Sequence, residues 1–332
     1  MLSLLLLAAA ALLVPVAASA QELAEGWDFV PGERLLLYDD FTDMTKGGAP
    51  PHWKVRGASV KLGANGRLIA SQDTKLWPNI AAWPKNYTIE MDFSLEKGPD
   101  DPQREIEWGF GDAEENWTWW FRLTLQEDGS CALQMNTEAD SNRAECKHTV
   151  GNPNTLAVWV QDERYRIYLN GERLMDLNQV KVNPWQAAWL ALQPSSGPIA
   201  MSRFRIAESS PDVSQTILSS GRWVTHGIQF DVNSDRLRPE SAPVLKLVAE
   251  ALAKQPALKL RIEGHTDSSG DAAKNLDLSK RRAESVKSAL VGQHNIGADR
   301  LAAVGMGQTK PLSANDTPQG RANNRRVEFA KQ

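Results

Sequence analysis

The feature that most constrains this chain is a change of hydrophobic period part-way along it. From about Gly32 to Ile206, apolar residues recur at every second position, as in Tyr87–Leu95, Trp117–Leu125, Thr155–Gln161 and Tyr165–Leu169. That spacing buries one face of a β-strand. Turn residues punctuate the runs at Glu127-Asp128-Gly129, Gly151-Asn152-Pro153 and Ser195-Ser196-Gly197-Pro198. Asn170-Gly171, between Tyr165–Leu169 and Glu172–Leu174, predicts a type I′ hairpin, because both central residues must take positive φ. Many short strands without helical periodicity predict an all-β sandwich or barrel.

After Arg222 strands and helices alternate. Ile228–Asp231 reads as a short strand and Pro239–Lys254 as a helix with Leu245, Val248, Ala249 and Leu252 on one face. Leu258–Gly264 reads as a strand, Asn275–Val291 as a long helix, Leu301–Gly305 as a strand, residues 307–320 as a polar loop and Arg326–Ala330 as a closing strand. This is the pattern of a separate α/β module. Residues 207–221 are Ser-rich and weakly patterned, and read as a linker. The 332 residues therefore divide into residues 1–20, a β domain over 21–206, the linker, and an α/β domain over 222–332.

Residues 1–20 form an apolar run ending in Ala18-Ser19-Ala20, which predicts a secretory signal cleaved before Gln21. No Lys or Arg precedes the apolar core, and an uncleaved anchor is the alternative. Without a Cys at the cleavage point, a lipoprotein is not expected. In an exported chain the two cysteines, Cys131 and Cys146, predict one disulfide. The five His do not cluster with them, so neither a metal nor a cofactor is expected. The formal charge of −4 hides an asymmetry: residues 222–332 carry 18 Lys/Arg against 12 Asp/Glu, and the remainder 19 against 29. A basic module behind an acidic one fits an anionic ligand at the C-terminal end. Nucleic acid is not expected, because the basic residues are interleaved with acids and lack aromatic neighbours for base stacking.

On the long helix, Leu278, Val286, Ala289 and Leu290 mark the apolar stripe, and Arg282 and Asn275 fall on it at helical spacing. A guanidinium on an apolar stripe must meet an anion. Asp267, in the turn Gly264-His265-Thr266-Asp267, is the nearest strong candidate. Two arrangements follow: an internal Asp267–Arg282 salt bridge that orients the helix, or a cleft in which Asp267 takes a ligand's ammonium and Arg282 its carboxylate.

The run GHTDSSGDAAKNLDLSKRRAESVKSAL (264–290), with RLAAVGMGQTKP (300–311), NDTPQGRANNRRVEF (315–329) and the opening Ile228–Ser234, resembles the OmpA-like C-terminal domain. The resemblance covers residues 222–332. It implies non-covalent binding of peptidoglycan through the meso-diaminopimelate of the peptide stem, which carries an ammonium and a carboxylate on one carbon. It also implies that Asp267 binds the ammonium and Arg282 the carboxylate, with Asn275, Asn233 and Arg325 bordering the pocket. Arg326 would point to the opposite strand face.

Tyr165–Leu174, with Pro31-Gly32-Glu33, Asp39-Asp40-Phe41 and Pro51-His52-Trp53, resembles concanavalin-A-like jelly-roll sandwiches, the superfold of laminin-G modules and glucanases. That superfold hosts binders and hydrolases alike. Glu105 and Glu107 share one strand face, as a retaining glycosidase pair would. Laminarinase-type glucanases use three acids in such a run; here Gly109 follows Trp108 and the next acid is Asp112. Glu90 and Asp92 show the same spacing. Trp117 and Trp119 share one face and Trp120 the other, one side core and the other a platform for sugar stacking.

The expectation is thus a two-domain, non-enzymatic peptidoglycan-binding protein of the periplasm, wall-associated at or near the outer membrane. Its jelly-roll sandwich would face a glycan or an envelope protein. The alternatives are a glycan-directed hydrolase tethered by the same C-terminal domain, and an outer-membrane β-barrel carrying it.

Overall fold

The computed structural model describes residues 27–332 except 58–59, 97–102, 112–116, 137–140, 181–186, 195–196 and 211. The expected signal segment, 1–20, lies outside the described residues. The chain forms two domains, an all-β sandwich and an α/β module.

In the sandwich, one sheet runs in the order Glu172–Leu177, Arg164–Leu169, Asn154–Gln161, Asn86–Leu95, Ile199–Glu208, Leu68–Ala70, Lys61–Leu62, with Arg34–Asp39 also pairing along Ile199–Glu208. The other runs Ser141–Lys147, Ser130–Asn136, Trp117–Gln126, Gln103–Gly111, Ala187–Gln193, Thr74–Pro78, Trp53–Gly57. Inward residues of both sheets, among them Phe93, Phe204, Ile106, Trp108, Phe121 and Leu190, share one core. Two face-packed sheets, with no strand pairing them to each other among the described residues, replace the barrel alternative. Asn170 and Gly171 take φ of 50° and 90°, as the predicted hairpin requires. Cys131 and Cys146 are bridged across directly opposed positions of adjacent strands. The buried Asp39 carboxylate accepts from the Trp53 indole at 2.8 Å and the Phe41 N–H at 2.7 Å, tying the two opening motifs together. Burial pushes that carboxyl up to about 6.

The linker expectation is corrected. The last sandwich strand continues to Glu208, and helix α1 (Val213–Ser220) follows, N-capped by Asp212 and ended by Gly221 at φ 73°. Val213 and Ile217 are buried in the core of the α/β module, together with Val30 from the start of the described chain. A helix of eight residues with so few apolar positions has too little periodicity to be seen in sequence.

The α/β module has a four-stranded sheet in the order Arg222–Thr225, Val327–Lys331, Leu260–His265, Leu301–Gly307, the last two parallel. Helix α2 (Ala242–Lys254) and helix α3 (Ala272–His294) pack on it. Two local expectations change. Ile228–Asp231 is not a strand beyond a single bridge between Phe230 and Leu237, and Arg222–Thr225 takes the edge instead. Helix α4 (Pro318–Asn324), capped by Thr317, interrupts the expected polar loop.

Candidate functional site

The Gly264–Asp267 turn leaves the sheet beside α3. Gly264 lies so close to the helix that a Cβ there would overlap the Ser279 carbonyl oxygen. The buried face of α3 is Ser279, Ala283, Val286, Ala289 and Leu290: the last three are on the expected stripe, whereas Ser279 and Ala283 replace Leu278 and Arg282, one position away. Asn275, Leu278 and Arg282 therefore sit at its edge and line a cleft of about 500 Å³ with Asp267, Asn233 and Arg325. All five residues singled out from the sequence meet there.

Asp267 accepts from Arg325 Nη1 at 2.7 Å and from the Ser269 N–H at 2.9 Å. Burial pushes its carboxyl up, but these hydrogen bonds together outweigh it and hold the group below the usual carboxylate range. Asn275 is a clamp: its Nδ2 donates to the Asp267 carbonyl at 3.3 Å, the Ser269 carbonyl at 2.9 Å and Gln308 Oε1 at 2.9 Å. Asn233, at φ 54°, sits in an exposed turn whose carbonyls face α3.

Arg282 makes no salt bridge with Asp267. Its Nε donates to the Ser234 carbonyl at 2.9 Å, its Nη2 reaches the Asp231 carbonyl at 3.5 Å, and its guanidinium carbon lies 4.9 Å from the Phe230 ring centre. Among the described residues no carboxylate is within ion-pair distance of it. Burial and the neighbouring Arg281 lower its pKa. The internal salt bridge is therefore replaced by an opened pair: a carboxylate held by Arg325 and a guanidinium held only by carbonyls and a ring.

Arg325 and Arg326 both precede the strand and both line the cleft, so the expected split between strand faces does not hold; Arg326 differs in turning its guanidinium inward. Buried, it donates to Glu328 Oε1 at 2.6 Å and the Lys310 carbonyl at 3.0 Å, beside His265 and Glu263. Glu263, His265 and Glu328 are close enough to suggest a metal, but Arg222, Arg261 and Arg326 already neutralise the two carboxylates.

A second polar surface lies on the outer face of the seven-stranded sheet. Glu105 and Glu107 point away from the core, opposite Ile106 and Trp108, and Arg122 pairs with both. Gln193 donates to Glu107 at 2.8 Å and Gln103 to Glu105 at 2.8 Å. Asp112 lies outside the described residues. Three indoles carry cations on this face: Arg122 over Trp120, Lys75 over Trp189 and Arg56 over Trp77, at 4.8, 5.2 and 5.0 Å. Of these rings the sequence reading singled out Trp120 alone. Trp77 and Trp189 join it only through strand order, across Gly109, where a Cβ would overlap the Trp189 ring. The side chains of Trp117 and Trp119 lie outside the described residues. Glu90 and Asp92 form ordinary ion pairs with Arg205 and Arg203.

Residues 229–325 match the OmpA family. The OmpA-like match contains all five cleft residues. Outer membrane protein Omp38 of Acinetobacter baumannii is 45% identical over 98 residues, 30% of this chain and 28% of that protein. Peptidoglycan-binding protein ArfA of Mycobacterium tuberculosis is 40% identical over 107 residues, 32% of each chain. The chain thus spans about a third of the length of these relatives. In the sandwich, the likeness is to the solved structure of SCLam, a non-specific endo-β-1,3(4)-glucanase from family GH16. It covers 54% of this chain and 92% of that one, at 12% identity and a TM-score of 0.44. The expectation of a non-enzymatic protein does not stand, because the sandwich fold beneath it is one that a glycoside hydrolase uses.

Proposed function

We propose that this cell-envelope protein attaches non-covalently to peptidoglycan by clasping meso-diaminopimelate, with Asp267 taking the ammonium and Arg282 the carboxylate. The observation that supports this reading is that Arg282 has no carboxylate partner among the described residues while lining the same cleft as the carboxylate of Asp267. A zwitterion supplies the carboxylate that Arg282 lacks and an ammonium that competes with Arg325 for Asp267. Asn275 holds the Asp267 turn, Asn233 borders the opening, and Arg325 yields Asp267 to the ligand. The name of ArfA, a peptidoglycan-binding protein, agrees with attachment to peptidoglycan. Co-sedimentation of the full chain with purified sacculi tests it; a chain that stays in the supernatant overturns it.

The pH dependence follows from Asp267. A carboxyl held below its ordinary value of about 3.9 stays charged as pH falls, and its contribution is lost only as pH passes down through the folded value. Sacculus binding is therefore expected to be level from pH 7 to about pH 5 and to collapse below about pH 4. A fall centred near pH 6.5 would overturn this, because burial lowers the two histidines of the cleft, His226 and His265, to about 3.

The open face of the sandwich favours a second activity, a glycan-directed hydrolase held at the wall. Glu105 and Glu107 project side by side beneath a row of indoles, and carbohydrate rings stack on such surfaces. Release of reducing ends from sacculi and from β-glucans is expected to fall at least about hundredfold in Glu105→Gln or Glu107→Gln, with sacculus binding unchanged. Equal activity in both variants removes the pair from any catalytic role.

A further inference from the structure

The cleft that holds Asp267 and Arg282 is not built by the α/β module alone. Its other wall is the outer face of the eight-stranded sheet, where Tyr38 and Arg203 line the same space. Tyr38 on Arg34–Asp39 stands opposite Arg205 on Ile199–Glu208, which places Tyr38 beside Arg203. Arg203 is fixed by both oxygens of Asp92, at 2.6 and 3.0 Å. The Tyr38 hydroxyl has no hydrogen bond to the described residues, and its ring lies 5.9 Å below the Arg325 guanidinium. Thr266 Oγ1, on a residue 7% exposed that lines this cleft, also lacks a partner.

Charge balance then makes a demand. An ammonium that takes Asp267 removes the one carboxylate that Arg325 has, while the ligand's carboxylate on that carbon goes to Arg282. Arg325 is left, cationic, against the sandwich wall. A ligand with one ammonium and one carboxylate leaves this guanidinium unpaired; a ligand with a second carboxylate satisfies it.

We propose that the sandwich completes the binding site, and that a second carboxylate of the peptide stem, that of the glutamyl residue bonded to diaminopimelate, seats between Arg325 and the Tyr38 hydroxyl with Arg203 behind it. This rests on the diaminopimelate clasp and adds to it: the sandwich selects the peptide around the diaminopimelate. Sequence alone could not show this, because Tyr38 and Arg325 are 287 positions apart.

The test is calorimetric titration of the full chain with meso-diaminopimelate, with the tripeptide L-alanyl-γ-D-glutamyl-meso-diaminopimelate, and with that tripeptide amidated at the glutamyl carboxylate. The free tripeptide is expected to bind about tenfold tighter than the amidated one, the effect of a charge-assisted hydrogen bond. Tyr38→Phe, which removes only the hydroxyl, is expected to weaken the free tripeptide about fivefold and leave diaminopimelate unchanged. Equal binding of the two tripeptides, or unchanged tripeptide binding in both Tyr38→Phe and Tyr38→Ala, overturns the inference while Asp267→Ala still abolishes binding of all three probes. Native binding of all three by Asp267→Ala overturns the clasp itself, and this inference with it.

Discussion

Asp267→Ala and Arg282→Ala are each expected to weaken binding of the full chain to sacculi by at least about hundredfold, with folding intact. Removing one partner of a desolvated charge pair costs about 3–5 kcal/mol, and each 1.4 kcal/mol is about tenfold in affinity. Arg282 contributes little to the fold, because its two hydrogen bonds go to carbonyls of the 231–234 turn. Its loss leaves no buried carboxylate behind. Arg282→Lys keeps the charge but loses the planar fork, and is expected to recover only part of the affinity. The measurements are the fraction sedimented against sacculus concentration and the thermal midpoint of each variant. A midpoint within a few degrees of the native chain together with lost binding supports the clasp. Native binding by both variants returns the two residues to a structural role.

The second large effect concerns stability and separates two adjacent arginines. Arg326→Ala is expected to destabilise the α/β module by about 3–5 kcal/mol, whereas Arg325→Ala is expected to cost about 1 kcal/mol or less. Arg326 is 5% exposed and bonds Glu328, itself fully buried, so its removal strips a partner from a carboxylate that water cannot reach. Arg222 still contacts Glu328 but is itself largely exposed, and cannot fill the space that Arg326 leaves. Arg325 is exposed on one side, and its partner Asp267 opens onto the cleft. Hydrogen exchange in denaturant at the amides of Leu260–His265 and Val327–Lys331 reads this module apart from the sandwich. Equal loss in the two variants would mean that burial of the Arg326–Glu328 pair does not set it apart from the exposed Arg325–Asp267 pair.

The two-domain division was legible in sequence because local rules carry it. Period-two runs announced the sandwich strands and Asn170-Gly171 its hairpin, helical spacing put Asn275 and Arg282 on one stripe, and only the resemblance to the OmpA-like domain gave Asp267 and Arg282 their expected roles. Weak or non-local signals were not legible. Helix α1 hides in a Ser-rich stretch because its stability comes from Val213 and Ile217 packing into a core that distant residues build. The first half of the helix stripe read one position off, because Gly264 and Gly305 let the backbone come close enough to bury Ser279 and Ala283, leaving Leu278 and Arg282 at the edge of the cleft.

The sequence by itself therefore determined most of the sandwich strands and the two long helices, the two cysteines that pair, and the chemical types gathered at the C-terminal end. Only the tertiary structure decided who pairs with whom. Asp267 took Arg325 and not Arg282, Trp77 and Trp189 joined Trp120 through strand order, and Tyr38 and Arg203 came to wall a cleft in the other domain. The physical reason is the range of the forces involved. Propensity, capping and periodicity act over a few residues, whereas the partner of a charge is chosen by burial and proximity, which depend on where the whole chain has already packed.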